Sequence, residues 1–169
     1  WYYLKQQIHQ HVASFNHPSN KAGFAGFVRG TNLIIEIDDR SLARFRDRST
    51  GKIVSEKSAG QGLPYALCPD GRFVLSQFDV PVLWDAITGR IVRRFDDVPP
   101  LEGIGRGHSA VSARGTHVAL ACDKWFLIEV STGQILNEFP RKPSAGALFS
   151  YDAEWFLYCR DNTVIFWDV

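Results

Sequence analysis

The chain has 169 residues, 45% of them hydrophobic and 22% charged, with a formal net charge of +1 at pH 7. Such a chain can bury the core of one packed domain, which excludes a disordered tail and a disulfide-stapled miniature. The near-zero charge argues against a dedicated nucleic-acid binder, and no apolar run approaches the roughly 20 residues that span a bilayer.

The sequence holds no Met and opens on Trp1, so it reads as a segment of a longer product or as a trimmed one. Trp1–Tyr3 has neither the charged nor the long apolar region of a secretory leader. In chain order, the first candidate strand is 7–15. Its Gln7-Ile8-His9-Gln10-His11-Val12 is similar to Gln134-Ile135-Leu136-Asn137-Glu138-Phe139 further on. Strands are then predicted at Ala22–Phe27, Leu33–Ile37, Leu42–Asp47 and Lys52–Ser58. A second group follows at Leu63–Cys68, Arg72–Gln77, Val80–Asp85 and Arg90–Phe95. A third runs over Ser109–Ala113, Thr116–Cys122, Trp125–Val130 and Gln134–Phe139. A fourth has only Ala145–Ser150, Glu154–Cys159 and Thr163–Asp168. Each stretch is short, rich in β-branched and aromatic residues, and bounded by turn residues, which is the strand signal.

These groups are one unit repeated. Thr50-Gly51, Thr88-Gly89 and Thr132-Gly133 recur at steps of 38 and 44 residues, each Gly preceded four places earlier by Asp47, Asp85 or Glu129. The carboxylate and hydroxyl can cap free backbone N–H groups there, and Gly supplies a positive φ. Gly71 and Gly115 each stand 18 residues before the next turn Gly, and Trp84-Asp85 returns as Trp167-Asp168. A repeat of about 40 residues with four strands is the sequence form of a β-propeller blade. The expected fold is therefore all-β: a single segment over 1–169 with blades of four antiparallel strands. Its units are approximately 22–58, 63–95, 107–139 and 145–168, with 7–15 as a candidate closing strand. About four blades' worth of chain points to part of a larger propeller, or to half-rings that associate with one another, because a blade is stable only against neighbours.

The repeat resembles the WD-repeat family. Trp84-Asp85 and Trp167-Asp168 fall where that family ends its third strand, and Asp161–Asp168 is similar to its third-strand sequence. Gly107-His108 stands before a first strand, where the family often has Gly-His. The resemblance covers about Ala22 to Asp168. It implies structural roles for Trp84, Asp85, Gly89, His108, Gly133, Trp167 and Asp168. It departs at Arg46 and Ile128, which take the aromatic position in the first and third units. The Asp-x-x-Thr-Gly turn is shared with quinoprotein-like propellers.

Candidate chemistry is sparse. His9 and His11 could share a strand face as zinc ligands do, but no third ligand follows at a usual spacing, so no metal is expected. Gly103-Ile104-Gly105-Arg106-Gly107 lacks the context of a phosphate loop. The turn carboxylates read as backbone caps, and no nucleophile signature is present. Arg44, Arg46 and Arg48 alternate on one strand face and, with Lys52, Arg90, Arg93 and Arg94, read as solvated blade edges. Cys68, Cys122 and Cys159 each end an apolar stretch and read as small buried residues. Without a disulfide framework they favour the cytoplasm while fixing no compartment.

Asp96–Arg106 is an insertion relative to the preceding step. Such links gather on one propeller face with the turns between second and third strands, where repeat proteins place binding. The candidate contact surface is thus Asp38, Asp39, Arg40, Asp96, Asp97, Leu101, Glu102, Arg106, Lys124 and Arg160. The implied function is a non-catalytic scaffold that binds a protein or peptide partner, with no cofactor and no nucleic acid. The alternative is a cofactor-dependent or hydrolytic propeller enzyme of the quinoprotein type, with further blades outside this segment.

Overall fold

Local turn chemistry sets the strand boundaries. The computed structural model describes residues 22–58, 60, 62–77, 79–99, 109–140, 146–160 and 163–169. The expected strand at 7–15, and with it His9 and His11, lies outside the described residues. The first sheet comprises β1 (Ala22–Phe27), β2 (Leu33–Asp38), β3 (Leu42–Asp47) and β4 (Ile53–Ser58). The second comprises β5 (Leu63–Leu67), β6 (Phe73–Gln77), β7 (Pro81–Asp85) and β8 (Arg90–Arg94). The third comprises β9 (Ala110–Val111), β10 (His117–Ala121), β11 (Lys124–Glu129) and β12 (Ile135–Pro140). The fourth comprises β13 (Ala147–Phe149), β14 (Trp155–Arg160) and β15 (Thr163–Asp168). Every sheet is an antiparallel meander in sequence order, and the described residues form no helix.

Most boundaries fall within a residue or so of those expected. The exceptions are two first strands: Ala145–Ser150 shortens to Ala147–Phe149, and of Ser109–Ala113 only Ala110–Val111 pairs with β10. Ser112 leaves the ladder to start a turn: its N–H donates to His117 O, and Gly115 N–H donates back to Ser112 O. The repeat extends to irregularities. A register shift falls between Phe45 and Arg46, between Leu83 and Trp84, and between Leu127 and Ile128. All three sit in the pairing of third and fourth strands, just ahead of the Thr-Gly turn, and such a bulge sharpens the local twist.

The sheets bury one another in sequence order. Ile35, Ile37, Ala43 and Phe45 of the first sheet form a core with Val74 of the second. Leu75 and Leu83 of the second pack with Val118, Leu120, Phe126 and Ile128 of the third. Ala119, Ala121, Trp125 and Leu127, on the other face of the third sheet, pack with Phe149, Phe156 and Tyr158 of the fourth. Strand β10 thus splits Val118-Ala119-Leu120-Ala121 between two cores, as period-2 alternation requires of a sheet covered on both sides. First strands also touch in order: β1 meets β5, β5 meets β9, and β9 meets β13.

Two expectations are corrected. Arg44 and Arg46 are not solvated; both are buried. Arg46 Nε and Nη2 donate to Glu36 Oε1 and Oε2 at 2.8 and 3.0 Å. Arg44 donates to Glu56 at 2.8 Å and to Asp38 at 3.1 Å. Carboxylates one strand away neutralise the guanidinium groups, which lets charges occupy a buried face. Arg48 lies in the turn after β3. Cys159 is exposed rather than buried, because its strand turns it away from the third sheet; Cys68 and Cys122 are buried as expected.

Candidate interaction face

The Thr-Gly turns recur in atomic detail. Gly51, Gly89 and Gly133 have φ of 70°, 72° and 79°. The N–H of each donates to the carbonyl of Asp47, Asp85 or Glu129, at 2.8 Å in all three turns. Asp85 Oδ1 accepts from Ile87 and Thr88 N–H, and Asp47 Oδ1 accepts from Ser49 and Thr50 N–H. Arg72 clamps the other oxygen of Asp85 at 2.8 Å. Burial pushes the Asp85 carboxyl up, but Arg72 and the turn N–H groups outweigh it and hold it below the usual carboxylate range. Structural roles for Asp85, Gly89 and Gly133 are therefore carried by bonds. Trp167 lies near the end of β15 with its ring centroid 5.0 Å from that of Phe139, and Asp168, exposed, is the last residue of the strand. Trp84 Nε1 and Ser76 Oγ are buried beside Gly60 and bond to no other described residue. His108 lies outside the described residues.

The expected contact surface is partly internal. Asp38 is buried: its Oδ1 accepts the N–H groups of Arg40 and Leu42, and its Oδ2 meets Arg44. Burial raises the Asp38 carboxyl, while Leu42, Arg40 and Arg44 lower it further, so the balance lies below the usual value. Asp38 shapes the β2–β3 turn and is withdrawn from the surface set. Asp39 and Arg40 occupy that turn, and Arg40, Asp96, Asp97 and Lys124 are exposed. Lys124 pairs with Glu138 at 2.7 Å. Arg160 closes β14. Leu101, Glu102 and Arg106, with the Gly103–Gly107 run, lie outside the described residues.

Links and second-to-third-strand turns meet on this side. Ser41 Oγ, in the β2–β3 turn, donates to Gly62 O in the link from β4 to β5. Cys122 Sγ, in the β10–β11 turn, contacts Pro99 O at 3.2 Å, in the link leaving β8. Arg94 joins Asp79 of the β6–β7 turn and Asp96 of that link, each at 3.3 Å. Sequence reasoning placed Arg94 in a bland basic patch; only the fold reveals it as the hub of two loops. Arg93 was missed likewise. Its Nη1 donates to Val130 and Ser131 carbonyls at 2.9 Å and its Nη2 to Thr132 O at 2.6 Å, tying the second sheet to the third sheet's Thr-Gly turn.

At the opposite edge the first turns cluster. Arg29 pairs with Asp70 at 3.5 Å and lies 4.9 Å from the Tyr151 ring centroid. A mostly apolar cavity of about 220 Å³ is lined by residues of all four first strands, including Phe24, Ala66, Val111 and Leu148. Among the described residues, no three His, Cys, Asp or Glu side chains converge as metal ligands do, and no helix is long and apolar enough to cross a membrane. No protein-family description matches this chain, and no curated protein matches it in sequence.

Proposed function

We propose that the four sheets are blades of a β-propeller of the WD-repeat type, and that the chain is a non-catalytic scaffold for a protein or peptide partner. Support for the radial arrangement comes from the sheet order and from the contacts of β1 with β5, β5 with β9 and β9 with β13. Blades around an axis bring first strands together in this way, whereas each blade otherwise touches only its neighbours. The observation that carries the functional reading is the convergence of turns and links on one side, with Arg94 holding two acidic loops in place. A rigid sheet array that presents ordered polar loops at one edge is suited to surface recognition. Arg40, Asp96, Asp97 and Lys124 supply charge of both signs there.

The test is selection of peptides from a random display library on the immobilised chain, followed by titration of the winners. Arg40→Glu with Lys124→Glu is expected to weaken binding at least tenfold. Arg114→Glu, in the turn between β9 and β10 at the other edge, is expected to leave it unchanged. A selection that yields no ligand, or ligands indifferent to both face substitutions, overturns the reading.

A further inference from the structure

We infer that Arg29 is a releasable clasp: it holds the first sheet to the fourth over the cavity between their first strands, and its loss lets these two sheets swing apart. Sheets that follow one another are joined by buried apolar clusters, first to second, second to third and third to fourth. Among the described residues, no such cluster includes both the first sheet and the fourth. The two nevertheless approach each other at the edge where the first turns lie. Phe24 of β1 lines the same cavity as Leu148 and Phe149 of β13. Arg29, in the β1–β2 turn, places its guanidinium carbon 4.9 Å from the ring centroid of Tyr151, in the β13–β14 turn.

Both ends of the contact stand on fixed backbone. Arg29 N–H donates to Asp70 O at 3.1 Å, so the second sheet holds the Arg29 main chain. Asp70 Oδ2, 3.5 Å from Arg29 Nη1, steers the guanidinium. On the other side, Ala153 N–H donates to Ser150 O at 3.0 Å and Trp155 N–H to Ser150 Oγ at 2.9 Å, which closes the turn that carries Tyr151. All four first turns have a residue of positive φ: Gly30, Gly71, Gly115 and Ala153. Two places before it stand Val28, Pro69 and Ala113 in the first three sheets and Tyr151 in the fourth. Val28 and Ala113 are buried, whereas Tyr151 is 55% exposed. An aromatic ring left outside the core is open to a cation, and a weakly hydrated guanidinium stacks on such a face. Exposed side chains can part without uncovering a core, so this contact is releasable where the buried clusters are not. The inference rests on the first-turn contacts and not on the partner proposed above.

Distances between paired spin labels test it. Cys159 is exposed on the fourth sheet and takes one label, while Cys68 and Cys122 are buried. Lys52→Cys, exposed in the turn between β3 and β4 of the first sheet, takes the other. With Arg29 and Tyr151 in place the distance distribution is expected to be narrow. Arg29→Ala and Tyr151→Ala should each at least double its width with an unchanged far-UV spectrum. Tyr151→Phe, which keeps the ring face, should leave it narrow, as should Arg114→Ala in the corresponding turn of the third sheet. If one alanine variant does not fold, the other decides together with Tyr151→Phe. A folded alanine variant with an unchanged width overturns the proposal, as does a Tyr151→Phe or Arg114→Ala distribution as broad as that of Tyr151→Ala.

Discussion

Arg46 and Glu36 form a diagonal pair between β3 and β2, joined by two bonds of 2.8 and 3.0 Å with both side chains buried. Arg46 stands opposite Ile53 at the strand bulge, the position held by Trp84 opposite Ile91 and by Ile128 opposite Ile135. Where two repeats place an apolar group, the first places a cation, and Glu36 makes that possible. Removing one member of a buried pair strands the other charge, at a cost of about 3–5 kcal/mol. Glu36→Leu is therefore expected to lower stability by that order in urea unfolding. Glu36→Leu with Arg46→Leu should recover most of the loss, because neither charge is then left behind. A double variant as unstable as the single would refute this account of the pair.

Two turn glycines with the same backbone should respond differently to alanine. Gly30 has φ 73° with open space where a Cβ would go; Gly71 has φ 69°, and its Cβ would lie 2.6 Å from the Phe27 carbonyl oxygen. Gly30→Ala bears only the left-handed penalty, about 1 kcal/mol. Gly71→Ala adds a backbone clash between the first and second sheets, so its loss should be at least twice as large. Equal unfolding midpoints for the two variants would contradict the contact.

Phe156 joins the third and fourth sheets. It is fully buried, with ring centroids 6.1 Å from Trp125 and 5.2 Å from Phe149. Phe156→Ala should cost about 3–5 kcal/mol, the usual range for emptying a packed aromatic site. Amide exchange should locate the loss in β13, β14 and β15, while the first sheet keeps its protection.

Acid should destabilise the chain through Asp38 and Asp85. Both carboxyls lie below their ordinary value when folded: burial opposes this, and the turn N–H groups with Arg44 or Arg72 prevail. A carboxyl with a lowered folded pKa contributes stability above its unfolded value, near 3.9, and loses it as pH falls through the folded value. Urea midpoints should thus hold from pH 7 to about 5 and decline below about 4. Asp38→Asn with Asp85→Asn should be less stable at pH 7 and show a shallower decline in acid. An undiminished acid slope in that double variant would show that other groups carry it.

The loop edge was only partly legible in the sequence. The insertion after β8 and the turns between second and third strands were identifiable from spacing alone. Asp38 caps the turn as its position suggested, but its place on the contact surface was misread, because a carboxylate beside a turn looks the same in sequence whether it faces solvent or is buried. Arg93 and Arg94 were read as edge residues, and Arg94 is exposed, but their bonds were not legible, because their partners are on another sheet or in another turn, at Val130, Ser131, Thr132 and Asp79.

Strand positions and turn chemistry were written in the order of residues, because both are local. Asp85, Thr88 and Gly89 close their hairpin with bonds that span four residues, and alternation from Val118 to Ala121 assigns each side chain to one of two faces. Which faces meet was decided only by tertiary structure. Alternating arginines spell a wet surface until Glu36 and Asp38 are seen across the strand. An apolar run such as Trp155–Cys159 does not say that one half of it is covered and the other open. Both are properties of neighbours distant in sequence, and a side chain's burial and charge state depend on what the fold brings within a few ångströms of it.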